Sequence, residues 1–246
     1  MGISKGVCMP EKSTVAEIRE RFDNDVERFS NLETGQQAAM DSALCLDLIK
    51  QCAAIANPRA TSLLDIGCGA GNWSIKLLGK IPAMHVTLLD LSRPMLDRAQ
   101  QRVTAAGASC VKTLQGDVRE MDFAEESFDL IVAGAVLHHL RGDEEWQAVF
   151  AMIFDWLKPG GSLWVFDMVT SESPAVEAAM QERYRDHLRN IGGEEMVEKV
   201  LAYIDKEDSP RPLAWQLDLL RQAGFGRIDV LHKNGPFAAY GAIKGG

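Results

Sequence analysis

The stretch "LLDIGCGAGN", residues 63–72, decides the fold. An apolar run ends in the acid Asp65; Gly67, Gly69 and Gly71 follow at every second position, and Asn72 closes the loop. Glycines at the carboxyl end of a strand let the chain turn tightly and let a ligand lie against bare backbone. A dinucleotide-binding loop needs G-x-G-x-x-G or A, and Asn72 stands at the last of those places. Asp65 beside the loop would also repel a pyrophosphate. The loop therefore points to a nucleotide-like ligand with a positive end, and it counts against a nicotinamide oxidoreductase.

The chain around this loop alternates strand-like and helical stretches. Short β-rich runs occur at "SLLDI", "HVTLLDL", "CVKTLQG", "DLIVAGA" and "SLWVFDM", with amphipathic helical stretches over 73–78, 94–106 and 144–157 between most of them. Apolar strands alternating with helices imply an α/β fold, a parallel sheet covered on both faces. The link before "DLIVAGA" is too short for more than one helical turn. After the fifth run come helices broken at Gly192–Gly193, then "PLAWQLDLLRQAGF" closed by Gly224, then two strands joined by an Asn-Gly hairpin signal.

Residues 1–14 show no pattern and are expected to fray. A helix is expected from about Thr14, with Val15, Ile18, Phe22, Val26 and Phe29 on one face. A second is expected over 36–56, with Met40, Leu44, Leu48 and Cys52 four apart. This divides the chain into an N-terminal cap, 1–57, and a ligand-binding domain, 58–246, with a lid insertion at about 171–210.

Composition narrows the chemistry. The 246 residues carry a net charge of −9, so basic side chains are diluted among acids and a nucleic-acid partner is not expected. No apolar run approaches a membrane span and the N-terminus lacks an apolar signal region, so the expected location is cytoplasmic. Five scattered cysteines with no C-x-x-C pair argue against disulfides and zinc.

Three acids follow three consecutive strands. Asp65 is suited to an ammonium, Asp90 in "LLDLS" to ribose hydroxyls, and Asp117 in "QGDV" to an adenine amino group, with Val118 offering an apolar contact to the ring. S-adenosylmethionine carries an ammonium, a sulfonium, a ribose and an adenine, and no phosphate. As isolated residues, the same acids also suit helix caps and turns.

With "DIGCGAG", "LLDLSRPML", "GDV", "FDLIVAGAVLHHL" and "LKPGG" in order over about 60–168, the chain resembles the class I S-adenosylmethionine-dependent methyltransferases of the small-molecule type, which includes ubiquinone and natural-product methyltransferases. The resemblance implies a Rossmann-like three-layer sandwich with a seven-stranded, mostly parallel sheet, order 3-2-1-4-5-7-6, the last strand antiparallel. It implies a cofactor site lined by Asp65, Gly67, Gly69, Asp90, Leu91, Asp117, Val118 and Ala133, with S-adenosylhomocysteine as product. A weaker resemblance, through the N-terminal helices and the tail, is to carboxy-S-adenosylmethionine synthases. The arginine those enzymes need late in the chain has no clear match in "EKVLAYIDKEDSPRP".

His138 and His139 follow the fourth strand and Asp167 ends the fifth. A histidine whose tautomer an acid fixes is a candidate general base for an oxygen or nitrogen acceptor, a carbon acceptor being the third choice. In the bland reading one of these histidines packs or caps the next helix. Adjacent histidines rarely face one ion, so no metal is expected. Tyr184, Arg185 and His187 in the lid are candidates for acceptor contacts. The expected partner is a small-molecule acceptor, with the protein a monomer or homodimer. A non-catalytic, cofactor-binding scaffold is the alternative from another class.

Overall fold

The structure is a computed structural model that describes residues 12–31 and 36–246. The unpatterned start up to residue 11, with Cys8, lies outside the described residues. Residues 12–14 are held rather than frayed: Ser13 N–H donates to the Lys206 carbonyl at 3.0 Å, and Lys12 Nζ donates to the carbonyls of Asp205 and Asp208 at 2.7 and 2.6 Å.

The first helical stretch divides into α1 (Val15–Asp23) and α2 (Val26–Ser30). A capping box at Thr14 and Glu17 starts α1, and Asn24 ends it. Of the expected apolar face only Ile18 is buried; Val15 is 41% exposed, and Phe22 and Phe29 face a cavity. The second helix, α3 (Ser42–Ala56), begins later than expected because 36–41 form turns, with Asp41 in the left-handed region. Its buried face is Cys45, Leu46, Ile49 and Ala53; Leu44, expected inside, is 49% exposed. The spacing of four was right and the face was misread, because α3 packs on β5 and β7 through the neighbouring stripe.

The strands are β1 (Ser62–Ile66), β2 (His85–Asp90), β3 (Cys110–Gln115), β4 (Phe128–Gly134), β5 (Leu157–Met168), β6 (Arg227–Asn234) and β7 (Phe237–Ile243). They form one sheet in the order β3-β2-β1-β4-β5-β7-β6, with β7 antiparallel to both neighbours. The remaining helices are α4 (Asn72–Leu78), α5 (Arg93–Ala105), α6 (Asp143–Trp156), α7 (Pro174–Glu207) and α8 (Leu213–Ala223). One apolar layer packs Ile49, Trp73, Leu88, Leu96 and Phe166 on one face of the sheet; the other packs Ile131, Trp146, Phe150, Val165 and Leu220. Helix α7 is broken at Gly192 and Gly193, as the sequence suggests. The carboxyl ends of β1, β2, β4 and β5 therefore open on one edge, with α1, α2 and the end of α7 arranged around it.

Candidate functional site

One cavity of about 380 Å³ runs along that edge. At one end are Gly67, Cys68, Gly69, Asp90, Leu91, Asp117 and Val118; at the other are His138, His139, Tyr184, Tyr203 and Asp208, with Phe22 and Phe29 also in its wall.

The glycine end is built by close backbone approaches. Gly67 has φ +62°, and a Cβ there would lie 2.4 Å from Val136 Cγ2. Gly134, ending β4, would meet Trp73 Nε1 at 1.9 Å. Neither place admits a side chain without moving the wall.

Asp90 sits across the loop, accepting from Gly69 N–H at 2.8 Å and from Ser92 N–H at 2.9 Å. Burial pushes its carboxyl up to about 6, against those two donors, and Asp23 adds to the rise. Asp65 does not reach the cavity wall. It lies fully buried beneath the loop, where Oδ2 accepts from the hydroxyl and N–H of Ser74 at 2.6 and 3.2 Å. Its Oδ1 has no hydrogen-bond partner among the described residues, and burial pushes it up to about 7. Gly71, in the left-handed region, caps α4 and also stays out of the wall. Ala133 is buried in β4, while its neighbours Gly134 and Ala135 line the cavity.

Asn72, the residue that spoiled the phosphate-loop pattern, is a tie. Its Nδ2 donates to the Phe29 carbonyl at 2.9 Å and its Oδ1 accepts from Arg102 at 2.8 Å, joining α2 to the loop and to α5. Asp117 is clamped by Arg119, whose Nη2 lies 2.6 Å from Oδ2 and which also reaches Glu145. Burial raises the Asp117 carboxyl, but the arginine outweighs it and holds it below the usual range.

At the far end the structure brings His138 and His139 together with Asp167 and with an acid the sequence did not single out, Asp208. The two rings sit on a short 3-10 turn, Leu137–His139, with centroids 4.4 Å apart. Asp167 fixes this turn: Oδ2 accepts from the N–H of Leu137 at 2.6 Å and of His138 at 3.2 Å, while Oδ1 contacts His138 Nδ1. Asp208 follows α7, and Ser209 N–H donates to the His138 carbonyl at 2.7 Å, tying the end of α7 to the turn. Asp208 Oδ1 is 3.6 Å from His138 Nε2 and 3.3 Å from His139 Nδ1. Burial opposes charge on His138, but Asp167 and Asp208 outweigh it and push it up to about 9. Burial and the charge of His138 push His139 down. Burial raises Asp208, and His138, His139 and Arg21 together more than offset that, leaving it below the usual range.

Of the lid residues singled out, only Tyr184 lines the cavity. Arg185 is exposed beside Glu182, and His187 Nε2 lies 2.9 Å from the Gln37 carbonyl on the outer side of the lid. Nothing in the sequence marks Asp208 beyond its place at a helix end before Ser209 and Pro210. Phe22 and Phe29 were visible as an apolar pair, but only the fold shows them facing the cavity, their rings 5.6 Å apart.

Comparison with known proteins bears on the fold and the domain. A methyltransferase domain matches residues 63–161. A demethylmenaquinone methyltransferase of Listeria monocytogenes serotype 4a is 28% identical over 191 residues, 76% of this chain and 79% of the relative. One of Lactococcus lactis is 28% identical over 193 residues, covering 74% and 73%. Among solved structures, the mitomycin 7-O-methyltransferase matches with a TM-score of 0.61 at 19% identity, over 94% of this chain and 61% of that one. Human N-acetylserotonin methyltransferase, solved with S-adenosylmethionine, matches with a TM-score of 0.55 at 17% identity, over 96% and 63%. At such identities the structures speak for the fold. The strand order, the matched domain and the relatives together support a class I S-adenosylmethionine-dependent methyltransferase.

Proposed function

We propose that this chain binds S-adenosylmethionine at the glycine end of the cavity and methylates a small, largely apolar acceptor held against the histidine end, on oxygen first and on nitrogen or carbon as alternatives. The observation that carries the reading is that a single cavity joins Asp90 and the glycine loop to His138 and His139.

The residues present fit this cofactor. Gly67, where a side chain would run into Val136, leaves bare backbone for the ligand, and Asp65, buried beneath the loop on Ser74, holds that turn from below. Asp90 would accept from the ribose hydroxyls on its remaining lone pairs, Leu91 and Val118 would cover the adenine, Asp117 would meet its amino group, and Gly67 and Gly69 leave room for the backbone approach. When bound, the cofactor supplies a methyl group activated by its sulfonium.

The chain's own contribution is positioning and exclusion of water. Phe22, Phe29, Trp73, Met168, Tyr184 and Tyr203 give the cavity a mostly apolar, aromatic wall suited to a flat acceptor. His139, whose ring nitrogens have no hydrogen-bond partner among the described residues, would accept a hydrogen bond from the acceptor's hydroxyl. Asp167 would fix the orientation of His138 behind it. The relatives named for demethylmenaquinone and the neighbour named for oxygen 7 of mitomycin support a small-molecule acceptor. No helix among the described residues is long and apolar enough to cross a membrane.

The test is transfer of labelled methyl from S-adenosylmethionine to a panel of phenols, quinols, amines, thiols and carboxylates. A labelled phenol or quinol product supports the reading. Cofactor binding with no transfer to any class would favour the scaffold alternative.

A further inference from the structure

We propose that His138, His139 and Asp208 form a site for one first-row divalent cation at the acceptor end of the cavity, its open position facing the acceptor oxygen. The inference rests on the methyltransferase reading above for the acceptor, and on the cluster alone for the cation.

The spacing is that of ligands. One ligand atom from each residue lies within 4.8 Å of the others, and Asp208 Oδ1 is 3.3 and 3.6 Å from the two imidazole nitrogens. Bonds of about 2.0–2.2 Å in a tetrahedral site set ligand atoms roughly 3.3–3.6 Å apart. The adjacency of the two histidines, which counts against a shared ion in an extended chain or a helix, is overcome here by the tight turn and by an acid arriving from the lid.

The second observation is a set of orphans. Asp208 Oδ1 and both ring nitrogens of His139 are buried with no hydrogen-bond partner among the described residues; Asp208 is 3% exposed. His139 Nδ1 lies 3.3 Å from Asp208 Oδ1, a contact that a shared ion would take over. Buried polar atoms left in this way call for a ligand, a water or an ion. All three residues line the cavity, so an ion can enter.

The surroundings fit as well. Asp167 holds Nδ1 of His138 and leaves Nε2 turned to the cluster, the arrangement in which an outer carboxylate orients a metal-binding imidazole. Asp167 and Asp208 are both buried, and a dication would balance their two carboxylates. Nearby arginines are engaged elsewhere, Arg21 with Glu207 and Arg119 with Asp117 and Glu145. Two nitrogens and one carboxylate favour zinc, cobalt, nickel or ferrous iron over magnesium or calcium. Such an ion would bind the acceptor hydroxyl through oxygen as its anion, the proton leaving to water, and would keep its own charge and oxidation state throughout.

The experiment uses the purified full chain stripped with a chelator. Cobalt(II) is titrated in and followed by its visible absorption, zinc(II) binding is measured by calorimetry, and S-adenosylhomocysteine binding is measured on the same samples. One equivalent of either ion should bind, and His139→Ala and Asp208→Asn should each weaken it by at least about tenfold. Asp167→Asn should weaken it by about 10–100-fold. No saturable binding to the wild type overturns the site, as does binding that survives all three substitutions. Circular dichroism identifies any variant that fails to fold, and the others then decide. Failure of the wild type to bind S-adenosylhomocysteine would overturn the methyltransferase reading and leave the cation result standing by itself.

Discussion

The two ends of the cavity are built in different ways. The glycine end is local: Asp65, Gly67, Gly69 and Asp90 come from two adjacent parallel strands and the turns after them, and backbone N–H groups hold the acid in place. The histidine end is assembled from distant pieces, with His138 and His139 after β4, Asp167 on β5, Asp208 at the end of the lid and Phe22 from the N-terminal helix. A cofactor shared by a family can be met by a fixed local motif. An acceptor peculiar to one enzyme is met by the parts of the chain that vary in length and packing.

That difference is open to direct attack. The largest effect is expected at the local end. Asp90→Ala removes charge-assisted bonds to two hydroxyls, each worth about 1.5–3 kcal/mol, so S-adenosylhomocysteine affinity should fall by more than about 100-fold in calorimetry. At the distant end His139→Ala and Asp208→Asn should lower kcat by about 10²–10⁴-fold while leaving cofactor affinity nearly unchanged. Equal loss of binding and turnover would show the two ends to be one unit.

Asp65 sharpens the contrast through stability. Burial raises its carboxyl from 3.8 to about 7, so the folded chain holds that proton more tightly than the unfolded chain does. Stability from this group is therefore lost as pH rises from about 4 to about 7, by on the order of 4 kcal/mol. Asp65→Asn should leave the melting temperature at neutral pH unchanged or higher, flatten its pH dependence, and weaken cofactor binding by about 10–100-fold. Asp90, raised to about 6, should make wild-type cofactor affinity fall by about tenfold as pH drops from neutral to one unit below that value. The smallest effect is expected outside the cavity: Arg185→Ala and His187→Ala should change kcat/KM by less than about twofold, being solvated or engaged on the outer face of the lid.

The same division governs what the sequence could disclose. Strand order and the sites of Gly67, Asp90 and Asp117 follow from short apolar runs and the turns that end them, which are local signals. Asn72 was readable as a break in the phosphate pattern, but its bonds to Phe29 and Arg102 depend on two helices from elsewhere. The α3 face was misread because repeats of four fit more than one stripe, and packing on β5 and β7 chooses between them. Asp208 was invisible for the same reason: nothing in "DKEDSPRP" shows that the acid folds back beside histidines at 138 and 139. The chemistry of Arg185 and His187 suits an acceptor contact, but α7 turns both away from the cavity.

The most direct test of the account is calorimetric titration of S-adenosylhomocysteine into the purified wild-type chain at neutral pH, with Asp90→Ala alongside. The account predicts saturable one-to-one binding with Kd of roughly 1–100 μM, lost in the variant. No binding by the wild type at about 1 mM ligand, or equal binding by both proteins, would contradict it.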